Sequence, residues 1–131
     1  MTNTELAKYW IDSSDEDYDV MMTLYNGEKY SWCLFVGHIV IEKLVKGIYA
    51  KNNEESPHAP KIHNLVQLAD KCELDLDQKQ RDVLALFTKF NMSARYDDYK
   101  KEFYNKCTRE YAEQQINNIE EMRIWLKAQL I

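Results

Sequence analysis

A chain of 131 residues, 45% hydrophobic and 30% charged, can bury one core, and this composition excludes intrinsic disorder. A net charge of −5 excludes a broadly basic surface that coats nucleic acid nonspecifically, yet it allows a local basic pocket. Three glycines and two prolines supply little turn chemistry, and strand-type alternation is hard to find. The chain therefore reads as all-α, one domain over residues 1–131, an up-and-down bundle of about five helices.

The first helix is expected from about Thr4 to Tyr25, with Leu6, Trp10, Tyr18, Met21, Met22 and Tyr25 on its apolar face. The acidic run DSSDEDYD from Asp12 to Asp19 interrupts that pattern. A capping box at Ser13 and Glu16 would restart the helix there, whereas one continuous helix makes the run its solvated outer face. A calcium site is a weaker third reading, since no glycine-bearing loop accompanies the carboxylates. Asn26-Gly27 then suits a left-handed cap at Gly27.

Ser31 to Ala50, SWCLFVGHIVIEKLVKGIYA, is apolar on every side in its first half, so it must run through the middle of the bundle. Its second half places His38, Glu42 and Lys46 on one stripe, with Lys43 beside it. Such charges inside a bundle are costly unless they reach partners, a cleft or an interface. Lys51 to Lys61 carries both prolines and is the clear loop. A short helix is expected after His63-Asn64, and another opens at the Asp77/Gln80 box and runs through Phe90. Periodicity lapses after Arg95-Tyr96-Asp97-Asp98 and resumes near Thr108 with Ala112, Ile116, Ile119, Met122 and Leu126.

Cys33, Cys72 and Cys107 form an odd, scattered set, expected as reduced, packed thiols in a cytoplasmic protein. No Cys-x-x-Cys pair exists, so a structural zinc site is not expected. The N-terminal MTNTELAKYW is no signal peptide, and no apolar run reaches transmembrane length. A P-loop, a dinucleotide fingerprint, a His-Glu-x-x-His pair and diiron Glu/His pairs are all missing, so neither cofactor nor metal is expected.

Laid end to end, these pieces resemble the HEPN domain family, whose name stands for nucleotide binding in higher eukaryotes and prokaryotes. The landmarks are Trp10, Asp17, Gly27 and Tyr30, then Glu42-Lys43 and Lys46 where the family often has EKxxKA. His63-Asn64-Leu65 is similar to its HDL, and Arg95-Tyr96-Asp97 to its RYPD. Asp97 replaces the motif's proline, which predicts a less sharp bend after Tyr96. Gly47 replaces the alanine after Lys46, costing about 1 kcal/mol of helix propensity unless a neighbour packs closely there.

Many members are ribonucleases that use an arginine followed four to six residues later by a histidine. Here His38, His58 and His63 all precede Arg81, Arg95, Arg109 and Arg123, so that motif cannot form. The resemblance thus implies the RYPD-type subgroup lacking it. A noncanonical ribonuclease, with His63 brought near Arg95, is the least favoured reading beside a structural His63 at a helix start. His38 is expected as a satisfied bundle histidine paired with Glu42, and His58 as exposed.

Two readings of function stand. In one, Arg95, Lys46 and Lys43 converge on a cleft that holds a nucleotide phosphate or an RNA end, with Tyr96 as stacking face and His63 nearby. Against it, Lys46 pairs within its helix with Glu42, and Arg95 pairs with an acid of the first helix such as Asp17. In the other, the domain is an interaction module. The resemblance implies a homodimer, often paired with a separate minimal nucleotidyltransferase as a toxin–antitoxin or two-subunit system. Nine tyrosines and three tryptophans suit an interface, although Trp32 and Trp125 are better core candidates. The reading carried forward is a noncatalytic, dimeric domain that binds a nucleotide or nucleic-acid-related ligand.

Overall fold

The computed structural model describes residues 1–130, which form six helices and, among the described residues, no strand. They are α1 (Asn3–Asn26), α2 (Tyr30–Asn52), α3 (Leu65–Lys71), α4 (Gln78–Arg95), α5 (Asp97–Lys106) and α6 (Arg109–Ala128). The Thr2 side chain caps α1 by accepting the Glu5 N–H at 3.1 Å. From there α1 runs unbroken, so no restart occurs at Ser13. Its acidic run is only partly a solvated face. Asp15 is held by Arg123 and Lys127 of α6, and Asp17 by Lys43 of α2.

α2 crosses the centre of the bundle antiparallel to α1. Ala7 and Trp10 meet it at Gly47, Ser14 donates to the Val40 carbonyl at 2.8 Å, and Met21 meets it at Gly37. A Cβ at Gly37 would strike Ile119 of α6, so this glycine sets how closely α6 crosses. Leu34, Ile41, Leu44 and Ile48 of α2 join Phe87 and Phe90 of α4 and Ile119 and Leu126 of α6 in a core closed to solvent. Burying one such side chain contributes about 1.5–3 kcal/mol, so the bundle stands on the α2 contacts. The three cysteines are buried and unbridged, and burial pushes each thiol up to about 12.

Three local expectations are corrected. The residue with positive φ after α1 is Glu28 (φ 60°), not Gly27 (φ −86°). The Lys29 N–H bonds back to the Leu24 carbonyl at 2.8 Å, and the Glu28 N–H to Tyr25 at 3.0 Å, a Schellman closure. Secondly, the segment after Tyr96 is helical. α5 buries only Phe103, and its narrow apolar face of Tyr99 and Phe103, continued by Cys107, is set among charged residues. Thirdly, the chain still breaks at Tyr96 (φ −93°, ψ 128°) without the proline. Asp97 takes the first helical position, where proline is favoured and where a carboxylate meets the positive end of the helix dipole. Among the described residues, no helix is long and apolar enough to cross a membrane.

Candidate functional site

The stripe His38–Glu42–Lys46 lies where α2 meets the end of the proline-bearing loop. Asn64 caps α3 by accepting the Gln67 N–H, which fixes His63 immediately before the cap. His63 thereby reaches back onto α2, and its Nδ1 lies 2.8 Å from Glu42 Oε1. Lys46 Nζ takes the other oxygen at 3.2 Å. Glu42 is buried at 6% exposure, and these two donors compensate its charge. His38 approaches Oε1 only to 3.8 Å; its Nε2 instead donates to the His63 carbonyl at 3.1 Å. Burial holds the His38 pKa below the usual imidazole value, with nearby His63 and Arg95 adding to the decrease. His38 is thus a neutral strut, while the His63 ring is 65% exposed beyond its anchored nitrogen.

Lys46 is further occupied by cation–π contact with Trp10, 5.1 Å from the ring centroid. Lys43 faces α1, where it pairs with Asp17 at 2.5 Å and donates to Ser13 at 2.7 Å. Arg95 is different. The pair with Asp17 does not form: Lys43 takes that carboxylate, and Arg95 lies against Phe35 and Tyr96 instead. Among the described residues no carboxylate pairs with the Arg95 guanidinium, whose Nε donates to the Asn91 carbonyl at 3.1 Å. The guanidinium sits 5.9 Å from the Phe35 centroid and 5.5 Å from that of Tyr96. Arg95 lies at Phe35, about three turns up α2 from Lys46, where its charge still reaches His38, whereas Lys43 is turned toward α1. Arg95 and Tyr96 stay together; His63 and Lys46 share Glu42; Lys43 belongs to α1.

Beyond Phe35 the array continues through residues that sequence reasoning left out. Trp32 meets Phe35 edge to face at 5.6 Å, and Lys100 Nζ lies 5.5 Å from the Trp32 ring. Trp32 is 40% exposed, not a core residue: Cys33 and Leu34 beside it turn into the core, and Trp32 lies on the outer face of the same turn. It borders a cleft of 550 Å³ shared with Lys29, Lys100, Lys101 and Tyr104, with Glu28 and Asp97 also in the lining. None of these three lysines is ion-paired among the described residues. The i, i+3, i+4, i+7 spacing of Asp97, Lys100, Lys101 and Tyr104 was the available sequence signal for this face. What results is a cluster of three rings and two cations in successive contact: Tyr96, Arg95, Phe35, Trp32, Lys100. Trp32 and Tyr96 are exposed while Phe35 is half-buried against the core, and exposed rings beside unpaired cations suit planar groups that carry negative charge.

Among the described residues, no group of three or more His, Cys, Asp or Glu side chains is placed to hold a metal ion. No curated protein matches the chain. Its fold is similar to that in the crystal structure of TT1696 from Thermus thermophilus, with a TM-score of 0.79 at 16% identity, covering 95% of this chain and 98% of that one. At that identity the likeness concerns the fold alone. The model of the HEPN domain matches residues 7–129, nearly the whole length, and the chain belongs to the HEPN domain family.

Proposed function

We propose that this chain is a noncatalytic, cytoplasmic HEPN module of the RYPD-type subgroup lacking the ribonuclease motif, and that it binds a nucleotide or nucleic-acid-related ligand. The observation that carries this reading is Arg95, a guanidinium with no carboxylate partner between the Phe35 and Tyr96 rings. A phosphate there gains a charge-assisted partner without breaking an existing ion pair. Lys46 and Lys43 have no such freedom, so the ligand-binding role moves from them toward Trp32 and Lys100. The order of histidines and arginines supports the noncatalytic part.

A second reading is the protein-interaction module: a homodimer, paired with a minimal nucleotidyltransferase or acting in a toxin–antitoxin system. Trp32, Met92, Tyr96, Tyr99 and Tyr104 are all exposed around the start of α2, the end of α4 and α5, a composition suited to an interface.

Thermal unfolding against a panel of nucleotides and short oligonucleotides tests the first reading. At a hundred times the dissociation constant a ligand stabilises the fold by about 2.7 kcal/mol, and Arg95→Ala should erase the resulting shift. No shift with any of them would overturn ligand binding and favour the interaction module.

A further inference from the structure

We infer that the groove between α4 and α6 docks an amphipathic helix of a separate protein partner, one with basic side chains at one end and acidic side chains at the other. This surface does not use Arg95 and goes beyond the ligand reading. Two hollows open along the groove. One, of 260 Å³, lies between the start of α4 and the second half of α6, with Val83, Met122 and Trp125 in its lining. The other, of 190 Å³, lies between the end of α4, α5 and the start of α6, with Leu86, Phe90 and Tyr111 in its lining. Each is below the roughly 300 Å³ at which pockets begin to enclose a small molecule, and each admits one large apolar side chain. Val83 and Phe90 stand seven residues apart on α4. That is about 10.5 Å, the distance between anchors at i and i+7 of a helix laid alongside.

The walls keep the same period. Val83, Leu86 and Phe90 of α4 stand three and four residues apart, and Asn118, Met122 and Trp125 of α6 four and three, the spacing by which helices seat a neighbour. Val83, Leu86 and Trp125 remain half-buried beside the core. The two ends differ in charge. The lining of the first hollow sets Asp77 and Glu121 against Lys79, and that of the second sets Lys89 and Lys106 against Glu102. None of these six is ion-paired among the described residues. A helix with opposite charges at its ends therefore matches the groove, and one charged alike at both ends meets repulsion at one of them. A second copy laid groove to groove would face its own hollows and leave both empty, so a protruding partner helix is the better occupant.

The test is fluorescence anisotropy of the full chain with labelled, side-chain-stapled helical peptides of about 15 residues, long enough to span both hollows. All carry phenylalanine at i and i+7; one has arginines at one end and glutamates at the other, a second arginines at both ends, a third glutamates at both. The mixed peptide should bind about tenfold tighter than either of the others, and lose about tenfold when both phenylalanines become alanine. The double variant Lys89→Glu, Lys106→Glu makes both ends of the groove acidic and should transfer the preference to the all-arginine peptide. Val83→Arg should weaken all three. Both lysines are exposed, so the charge swap reports even should Val83→Arg fold poorly. Arg95→Ala should leave peptide binding unchanged. Equal binding of the three peptides, a preference that the charge swap does not move, or no binding at all overturns the docking site. A dimer in sedimentation that Val83→Arg dissociates assigns the groove to a second copy and overturns the partner helix.

Discussion

His63 reaches Glu42 from outside the bundle: its Nδ1 lies 2.8 Å from an Oε1 that solvent barely touches. The same residue offers its backbone carbonyl to His38 Nε2 at 3.1 Å, so His63 is tied to α2 through both side chain and main chain. Because Asn64 caps α3, this tie also fixes where α3 begins relative to α2. The histidine that resembles a family motif thus secures the end of the loop, and a bound phosphate is not required to explain its presence.

Removing the carboxylate should therefore weaken the fold rather than a ligand. Glu42→Ala deprives His63 and Lys46 of their shared acceptor, and hydrogen bonds to charged groups contribute about 1.5–3 kcal/mol each. Lys46 and His63 both reach solvent, so the expected loss is nearer one such bond than two. Glu42→Gln retains an acceptor for one of them and should cost less. Urea unfolding of both variants checks the order, and equal stability of Glu42→Ala and the parent chain would contradict it.

His38 sets a pH dependence whose sign is fixed. Burial, first, and then the His63 and Arg95 charges keep its folded pKa below the unfolded value of about 6.5, against the opposing pull of the His63 carbonyl and Glu42. The unfolded chain therefore binds the proton more readily. The stability that His38 contributes is present above pH 6.5 and is lost as pH falls toward the folded pKa. Unfolding free energies at about pH 7.5 and about pH 5.5 should show a smaller drop in His38→Gln than in the parent chain, although the substitution lowers stability at both.

The architecture was readable because α1, α2, α4 and α6 carry long apolar patterns at helical spacing. α5 was not, since its stripe of Tyr99, Phe103 and Cys107 is short and set among charged residues, and only Phe103 of the helix is buried. That omission hid the Trp32 cleft, two of whose lysines lie on α5. Lys46 was legible from Glu42 four residues earlier. The partner of Lys43 lies across a helix interface, and sequence supplied the acid but assigned it to Arg95. Trp32 was misplaced because this half of α2 is apolar on every side, and only Cys33 and Leu34 of that turn face the core.

The two α2 glycines should behave oppositely when replaced by alanine. At Gly47 a Cβ would lie 3.5 Å from the Ala7 carbonyl oxygen and 3.5 Å from Trp10 Cβ, ordinary contact distances. Close packing does not demand glycine there, and Gly47→Ala should stabilise by about 0.5–1 kcal/mol. At Gly37 the added carbon collides with Ile119 Cδ1 and sits 3.3 Å from Met21 Sδ. Overpacking of this kind costs about 1–3 kcal/mol. Thermal melts should move upward for the first variant and downward for the second; a downward shift for Gly47→Ala would show that α1 cannot yield.

Glu28 and Glu73 close α1 and α3 in the same way, with φ of 60° and 57°. After α3 the Glu73 N–H bonds to the Asp70 carbonyl at 3.1 Å and the Leu74 N–H to Ala69 at 3.4 Å, repeating the closure after α1. A side chain in this conformation costs roughly 1–2 kcal/mol that glycine avoids, though glycine forfeits part of this through its freer unfolded chain. Neither glutamate has an ion pair among the described residues to lose. Glu73→Gly should therefore stabilise by up to about 1 kcal/mol, read as a higher urea midpoint with an unchanged slope. Glu28→Gly should do likewise while also removing a negative charge from the Trp32 cleft. Comparing the two variants separates the backbone effect, which they share, from any gain in anion binding, which only Glu28→Gly should show.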